Sequence, residues 1–209
     1  MMKLYYAAHT CALASHIALE EAGAEYEAVR LDFKSADQRK PEYLAINPKG
    51  RVPALVTERG ILTETPAILV FISQSYPQAG LAPLHDNFEL ACAQAFNSYL
   101  CSTVHVAHAH RMRGNRWADD PVAIAEMQRK VPQSVGAAFA LIENDMFVSP
   151  WVMGEKYSIC DIYLFTLAQW LEADGVDVAA LPKIRDHRRR MSERPVVRKI
   201  VAEEVAGLL

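Results

Sequence analysis

The sequence predicts an α/β half followed by an all-helical half. Three observations carry that reading. The first about 30 residues run strand, helix, strand, which is the length of a βαβ unit. Two β-rich pieces around a glycine then lead into a helix opening on Thr65-Pro66. From Phe88 onward alternation disappears, and apolar residues recur at spacings of three and four.

Residues 3–6 (Lys-Leu-Tyr-Tyr) form the first strand candidate. Residues 12–22 (ALASHIALEEA) are strong helix formers, and Gly23 stands where a helix C-cap needs a left-handed residue. Tyr26 to Phe33 alternates, with Val29, Leu31 and Phe33 on one side and Arg30 and Asp32 on the other, so it reads as a strand. A variable link follows. RVPALVT and ILTE, separated by Glu58-Arg59-Gly60, read as a hairpin. Thr65-Pro66 then opens the helix AILVFISQSY, since threonine can cap and proline suits the first turn.

Gln78 to Asp86 holds Gly80 and Pro83 and reads as a linker. Beyond it, Leu90, Asn97, Leu100, Cys101, Val104 and His108 share one helix face. Pro121 to Glu143 is helical, with a break or kink expected near Pro132. Ser158-Ile-Cys-Asp161 before an apolar run matches a capping box, with Asp in place of Glu. Two shorter helices follow Leu181 and Arg194. The expected domains are residues 1–79 and 86–209.

The chain has 209 residues, 51% hydrophobic and 22% charged, which is the make-up of an ordinary globular protein with a core of its own. A net charge of −3 gives no electrostatic case for nucleic acid. No apolar run reaches the roughly 18 residues that span a bilayer, so no membrane role is expected. No export signal is visible. Cys11, Cys92, Cys101 and Cys160 make no CxxC pair, and they read as free thiols in a reducing cytoplasm.

Three features can carry chemistry. Cys11 precedes a helix, where unpaired N–H groups and the helix dipole favour the thiolate, so a lowered pKa is expected. The alternative is a small core residue. Val52-Pro53 opens a strand. A cis bond there would let an extended peptide pair with the Val52 backbone, whereas base frequency favours a plain trans edge proline. At Glu64-Thr65-Pro66, the hydroxyl and first helical N–H groups could hold a carboxylate and Glu64 an ammonium, or the segment is simply a cap. HVAHAH, with His105, His108 and His110, lacks the further ligands a metal needs, so no metal is expected. Arg111, Arg113 and Arg116 with Trp117 make a basic rim or a solvated helix end. RDHRRRM at 185–191 reads as a solvated face.

The order of these features resembles the glutathione S-transferases over nearly the whole chain. The motifs are AAHTCALASHIAL, YLAINPKGRVPALV, LTETPAI and SICDIYLF. The cysteine in the first loop is similar to the bacterial beta class. The resemblance implies a thioredoxin-like N-terminal domain (βαβαββα) and an all-helical C-terminal domain, with glutathione in the cleft between them as co-substrate. It also implies a homodimer working in detoxification in the cytoplasm on an electrophilic small molecule. Carried over, Val52 would pair with the cysteinyl backbone of glutathione, with Pro53 cis. Glu64 and Thr65 would take the γ-glutamyl end, Cys11 would sit beside the glutathione sulfur, and Thr10 and Arg51 would border the ligand. His105 matches a histidine that reaches this site from the helical domain, and Ser98 stands where that class has an asparagine. The departures are Val106 for a lysine and Thr65 for a serine. Ser98, Ser102 and His105 have the spacing of one helix face. Glutathione-dependent isomerisation, thiol transfer and non-catalytic carriage of hydrophobic ligands are the alternatives on the same fold.

Overall fold

The computed structural model describes residues 1–205; the last four residues of the expected helical domain lie outside it. The first half folds as β1 (Met2–Tyr6), α1 (Ala12–Glu21), β2 (Tyr26–Arg30), the short α2 (Pro41–Leu44), β3 (Ala54–Thr57), β4 (Gly60–Thr63) and α3 (Thr65–Ser75). The sheet order is β2-β1-β3-β4. β1 runs parallel to β2 and antiparallel to β3, and β3 pairs antiparallel with β4. This is the thioredoxin-like βαβαββα order.

Local chemistry sets the boundaries. After α1, Gly23 takes φ +64°. Its N–H reaches the Glu20 carbonyl and that of Ala24 the Leu19 carbonyl, so both orphan carbonyls are satisfied by a Schellman turn. β2 stops at Arg30, three residues short of the alternating pattern. The Asp32 carboxylate accepts from the Lys34 N–H (2.8 Å) and the Ser35 hydroxyl (2.7 Å), and Asp37 accepts from the Asp32 N–H. These side-chain bonds fold the segment into a turn instead of a ladder. The hairpin closes as expected, with Thr57 opposite Gly60. The cap of α3 is Glu64, at φ +71°; Thr65 is already the first helical residue, so the expected threonine cap is one position off.

The second half is α4 (Asn87–Tyr99), a π-helical turn (Leu100–Val104), α5 (His105–Arg113), α6 (Pro121–Leu141), a second π-turn (Ile142–Met146), α7 (Ile159–Ala168), α8 (Pro182–Glu193) and α9 (Pro195–Val205). α6 continues through Pro132. The missing N–H and ring clash of an internal proline do not end the helix here. The two π-turns were not legible from spacing.

The described residues form two compact units, Met1–Ala91 with the chain from Met191, and Cys92–Arg190. In the first, Leu4, Ile17, Leu55, Ile68, Leu69 and Ile72 are fully buried and make the core. α9 belongs to this unit. Arg194, just before α9, grips Glu21 of α1 with two hydrogen bonds (2.8 and 3.0 Å), Lys199 of α9 pairs with Glu20, and His16 Nδ1 lies 2.9 Å from Glu204.

In the second unit the capping box forms as read. The Ser158 hydroxyl accepts from the Cys160 N–H, and Asp161 accepts from the Ser158 N–H (2.8 Å). The fully buried Asp161 also accepts from the Val152 N–H (2.8 Å) and lies 3.1 Å from His187 Nε2. Glu143, buried at the second π-turn, accepts from the Lys183 and Ile184 N–H groups and so caps α8 from outside it. No helix among the described residues is long and apolar enough to cross a membrane.

Candidate functional site

The site begins with the link between α2 and β3. Asn47-Pro48-Lys49-Gly50 is a turn. Gly50 has φ +59°, and a Cβ there would come within 2.9 Å of the Gln38 carbonyl oxygen, so glycine is required. The buried Tyr43 hydroxyl donates to the Arg51 carbonyl at 2.6 Å, and Asn47 Nδ2 donates to the same oxygen at 2.7 Å. Two donors on one carbonyl fix the backbone immediately before Val52-Pro53. That peptide bond is cis, as the resemblance implied and base frequency did not. A second cis bond, Ser149-Pro150, lies in the other unit and was not anticipated.

Three segments of the first unit meet at Cys11: the start of α1, the link before β3 and the start of α3. The Cys11 thiol donates to the Val52 carbonyl oxygen, with sulfur and oxygen 3.5 Å apart. The Thr65 hydroxyl hydrogen-bonds to the same thiol, and the charges of Glu64 and Arg51 act on it. Cys11 and Thr65 are both buried. Thr10 braces the loop, its hydroxyl donating to the Ala7 carbonyl (2.6 Å) and accepting from the Ala12 N–H (3.3 Å).

The electrostatics correct one expectation. Cys11 does occupy the N-cap of α1, but its pKa does not fall. Burial pushes it up to about 11, because removing a thiolate from water costs more than the Thr65 hydrogen bond and the helix start return. The nearby Glu64 carboxylate raises it further. Cys11 is therefore an S–H donor at neutral pH. Glu64 holds an ammonium, that of Lys49, which also donates to the Thr63 hydroxyl at 2.6 Å.

Arg51, Val52, Glu64 and Thr65 thus gather around the Cys11 thiol, with Pro53 following Val52 across the cis bond. Ser98 and His105 lie in the other unit. Ser98 and Ser102 are exposed and His105 is half-buried. The π-turn between them holds an extra residue, so the four-and-three spacing does not translate into one helical face. Sequence reading missed Tyr43, Asn47 and Lys49 as the scaffold of the site. Their signal was the turn Asn-Pro-Lys-Gly, inside the motif already quoted. Among the described residues no group of three or more His, Cys, Asp or Glu could hold a metal ion.

Comparison with known proteins gives two family matches. The family model described as the glutathione S-transferase N-terminal domain covers residues 1–74, and that of the glutathione S-transferase C-terminal domain covers residues 117–195. The chain is 32% identical to the glutathione S-transferase GstA of Escherichia coli O157:H7, over 97% of this chain and 98% of that one. A glutathione transferase homolog from Sulfitobacter, solved with bound glutathione, superposes with a TM-score of 0.94 at 45% identity, over 97% of this chain and 98% of that one. The beta-class enzyme of Sphingomonas chungbukensis superposes with a TM-score of 0.85 at 31% identity, over 99% and 100% of the two chains.

Proposed function

The chain belongs to the glutathione S-transferase family and is similar to its bacterial beta class, and we propose how its residues divide the work of that activity. Glutathione is the co-substrate. Residues 1–79 bind it, and residues 86–209 form the pocket for an electrophilic small molecule. The Val52 backbone pairs with the cysteinyl residue of glutathione. Glu64 and Thr65 take the γ-glutamyl end, with the Glu64 carboxylate exchanging the Lys49 ammonium for that of the ligand. Thr10 and Arg51 border the ligand. His105 donates a hydrogen bond to the glutathione sulfur, and Ser98 lies on the same stretch of chain. The protein acts as a cytoplasmic homodimer in detoxification.

One observation carries the assignment of Cys11. Its thiol is buried, protonated at neutral pH and held between the Val52 carbonyl and the Thr65 hydroxyl. Such a group is a poor nucleophile, since only the thiolate attacks a disulfide. It is a good donor. When glutathione binds, the S–H turns from the Val52 carbonyl to the glutathione thiolate. A hydrogen bond to a charged group contributes about 1.5–3 kcal/mol, enough to lower the pKa of the bound thiol by about one to two. The anion then attacks the electrophilic carbon and displaces its leaving group, while Cys11 keeps its proton. This favours conjugation over thiol transfer through a protein mixed disulfide.

The test is turnover of a chloronitroaromatic with glutathione by the purified protein. Saturable conjugation with Cys11→Ala reduced in kcat supports the assignment. Binding of glutathione without turnover of any electrophile would overturn it in favour of a carrier.

A further inference from the structure

Helix α5 carries a polar cluster that none of these roles uses. His108 Nδ1 lies 2.9 and 2.7 Å from the two carboxylate oxygens of Asp174, in the turn after α7. The Asp174 side chain is 1% exposed, and Arg111 Nε lies 3.1 Å from it. Arg111 also donates to the Ala173 carbonyl at 3.0 Å. A carboxylate this deeply buried is retained only with such partners. His108 stacks on Trp170, with ring centroids 4.0 Å apart and planes 21° apart. Trp170 in turn meets His105, centroid to centroid at 5.1 Å. His105, His108 and Arg111 follow one another at intervals of three along α5, on one side of the helix.

The contacts converge on His105, whose ring also meets that of His108 directly, with centroids 6.4 Å apart. Asp174 fixes the plane of the His108 ring through a two-oxygen contact. That ring covers one face of the indole, and the indole borders the His105 imidazole. We propose that His108, locked by Asp174, is a positioning residue that sets the His105 imidazole through Trp170. The proposal rests on the role given to His105 above. His105 opens α5 immediately after a π-turn, with helical backbone angles (φ −64°, ψ −36°). The Trp170 contact bears on the His105 ring, and a directional hydrogen bond from that ring weakens steeply when misaligned.

A double-mutant cycle tests this. His108→Asn keeps an N–H donor for Asp174 and removes the aromatic stack. In the parent protein it should lower kcat by about tenfold, the scale of a modest misplacement, with KM for glutathione changed less than about twofold. In a His105→Ala background the same change should lower kcat by less than about twofold, because the group it positions is gone. An equal loss in both backgrounds overturns the proposal, as does no loss in the parent. If His105→Ala alone leaves kcat unchanged, the role of His105 falls and the positioning role with it. Trp170→Leu reads the same link from its middle and should lose as much as His108→Asn, with the double variant losing no more than either. Should His108→Asn prove poorly folded at assay temperature, Trp170→Leu in the parent and in the His105→Ala background carries the test, and an equal loss in both overturns the link.

Discussion

The raised pKa of Cys11 gives a prediction that can be worked from the structure. An unperturbed thiol with a pKa of 9.0 is about 1% thiolate at pH 7. With the pKa pushed up to about 11, the fraction is about one molecule in ten thousand, a further hundredfold drop worth about 3 kcal/mol. Alkylation by iodoacetamide should therefore be at least about a hundredfold slower at Cys11 than at free cysteine. Restricted access also slows the reaction, so the decisive reading is the pH dependence. The rate at Cys11 should keep rising close to tenfold per pH unit from 7 to 9.5, because the group is still far from its midpoint. Peptide mass spectrometry after timed quenching separates Cys11 from Cys92, Cys101 and Cys160. A rate that levels off between pH 7 and 8 would refute the reasoning. It would mean that the helix start outweighs burial after all.

Two further predictions concern the scaffold. Asp161→Ala removes the acceptor of the Val152 and Ser158 N–H groups and the partner of the buried His187. Leaving those donors unpaired should cost about 3–5 kcal/mol in urea unfolding, with Asp161→Asn costing less, and a loss under about 1 kcal/mol would contradict the account. Glu204 has its carboxyl pKa raised, chiefly by burial, with the His16 hydrogen bond pulling it back. A raised folded pKa means its stabilising contribution is complete below the unfolded value and is lost as pH rises through the folded one. Glu204→Gln cannot ionise, so its stability relative to the parent should improve between pH 4 and pH 8. A constant or falling difference would be inconsistent with the burial.

The order of elements was legible because most of it is written locally. Gly23, the Thr57–Gly60 turn and Ser158-Ile-Cys-Asp161 each act within a few residues, and each formed as read. The misses are also physical. The strand through Phe33 ended early because Asp32 and Asp37 captured backbone N–H groups, a competition that alternation does not report. The π-turn at Leu100–Val104 broke the spacing argument for Ser98, Ser102 and His105, since nothing in the apolar pattern marks an extra residue. The pKa of Cys11 was read with the wrong sign. Its position at a helix start is visible in sequence, but its enclosure by Val52 and Thr65, far along the chain, is not. His108 was set aside as part of a histidine-rich run because Asp174, its partner, lies 66 residues away.

The measurement closest to the central claim is the ultraviolet titration of glutathione bound to the protein, followed by thiolate absorbance, in the parent and in Cys11→Ala. Bound glutathione should ionise about one to two pH units lower in the parent than in the variant, with the intact mass of the parent showing no glutathione adduct. The same midpoint in both proteins, or a stable disulfide on Cys11, would contradict that claim.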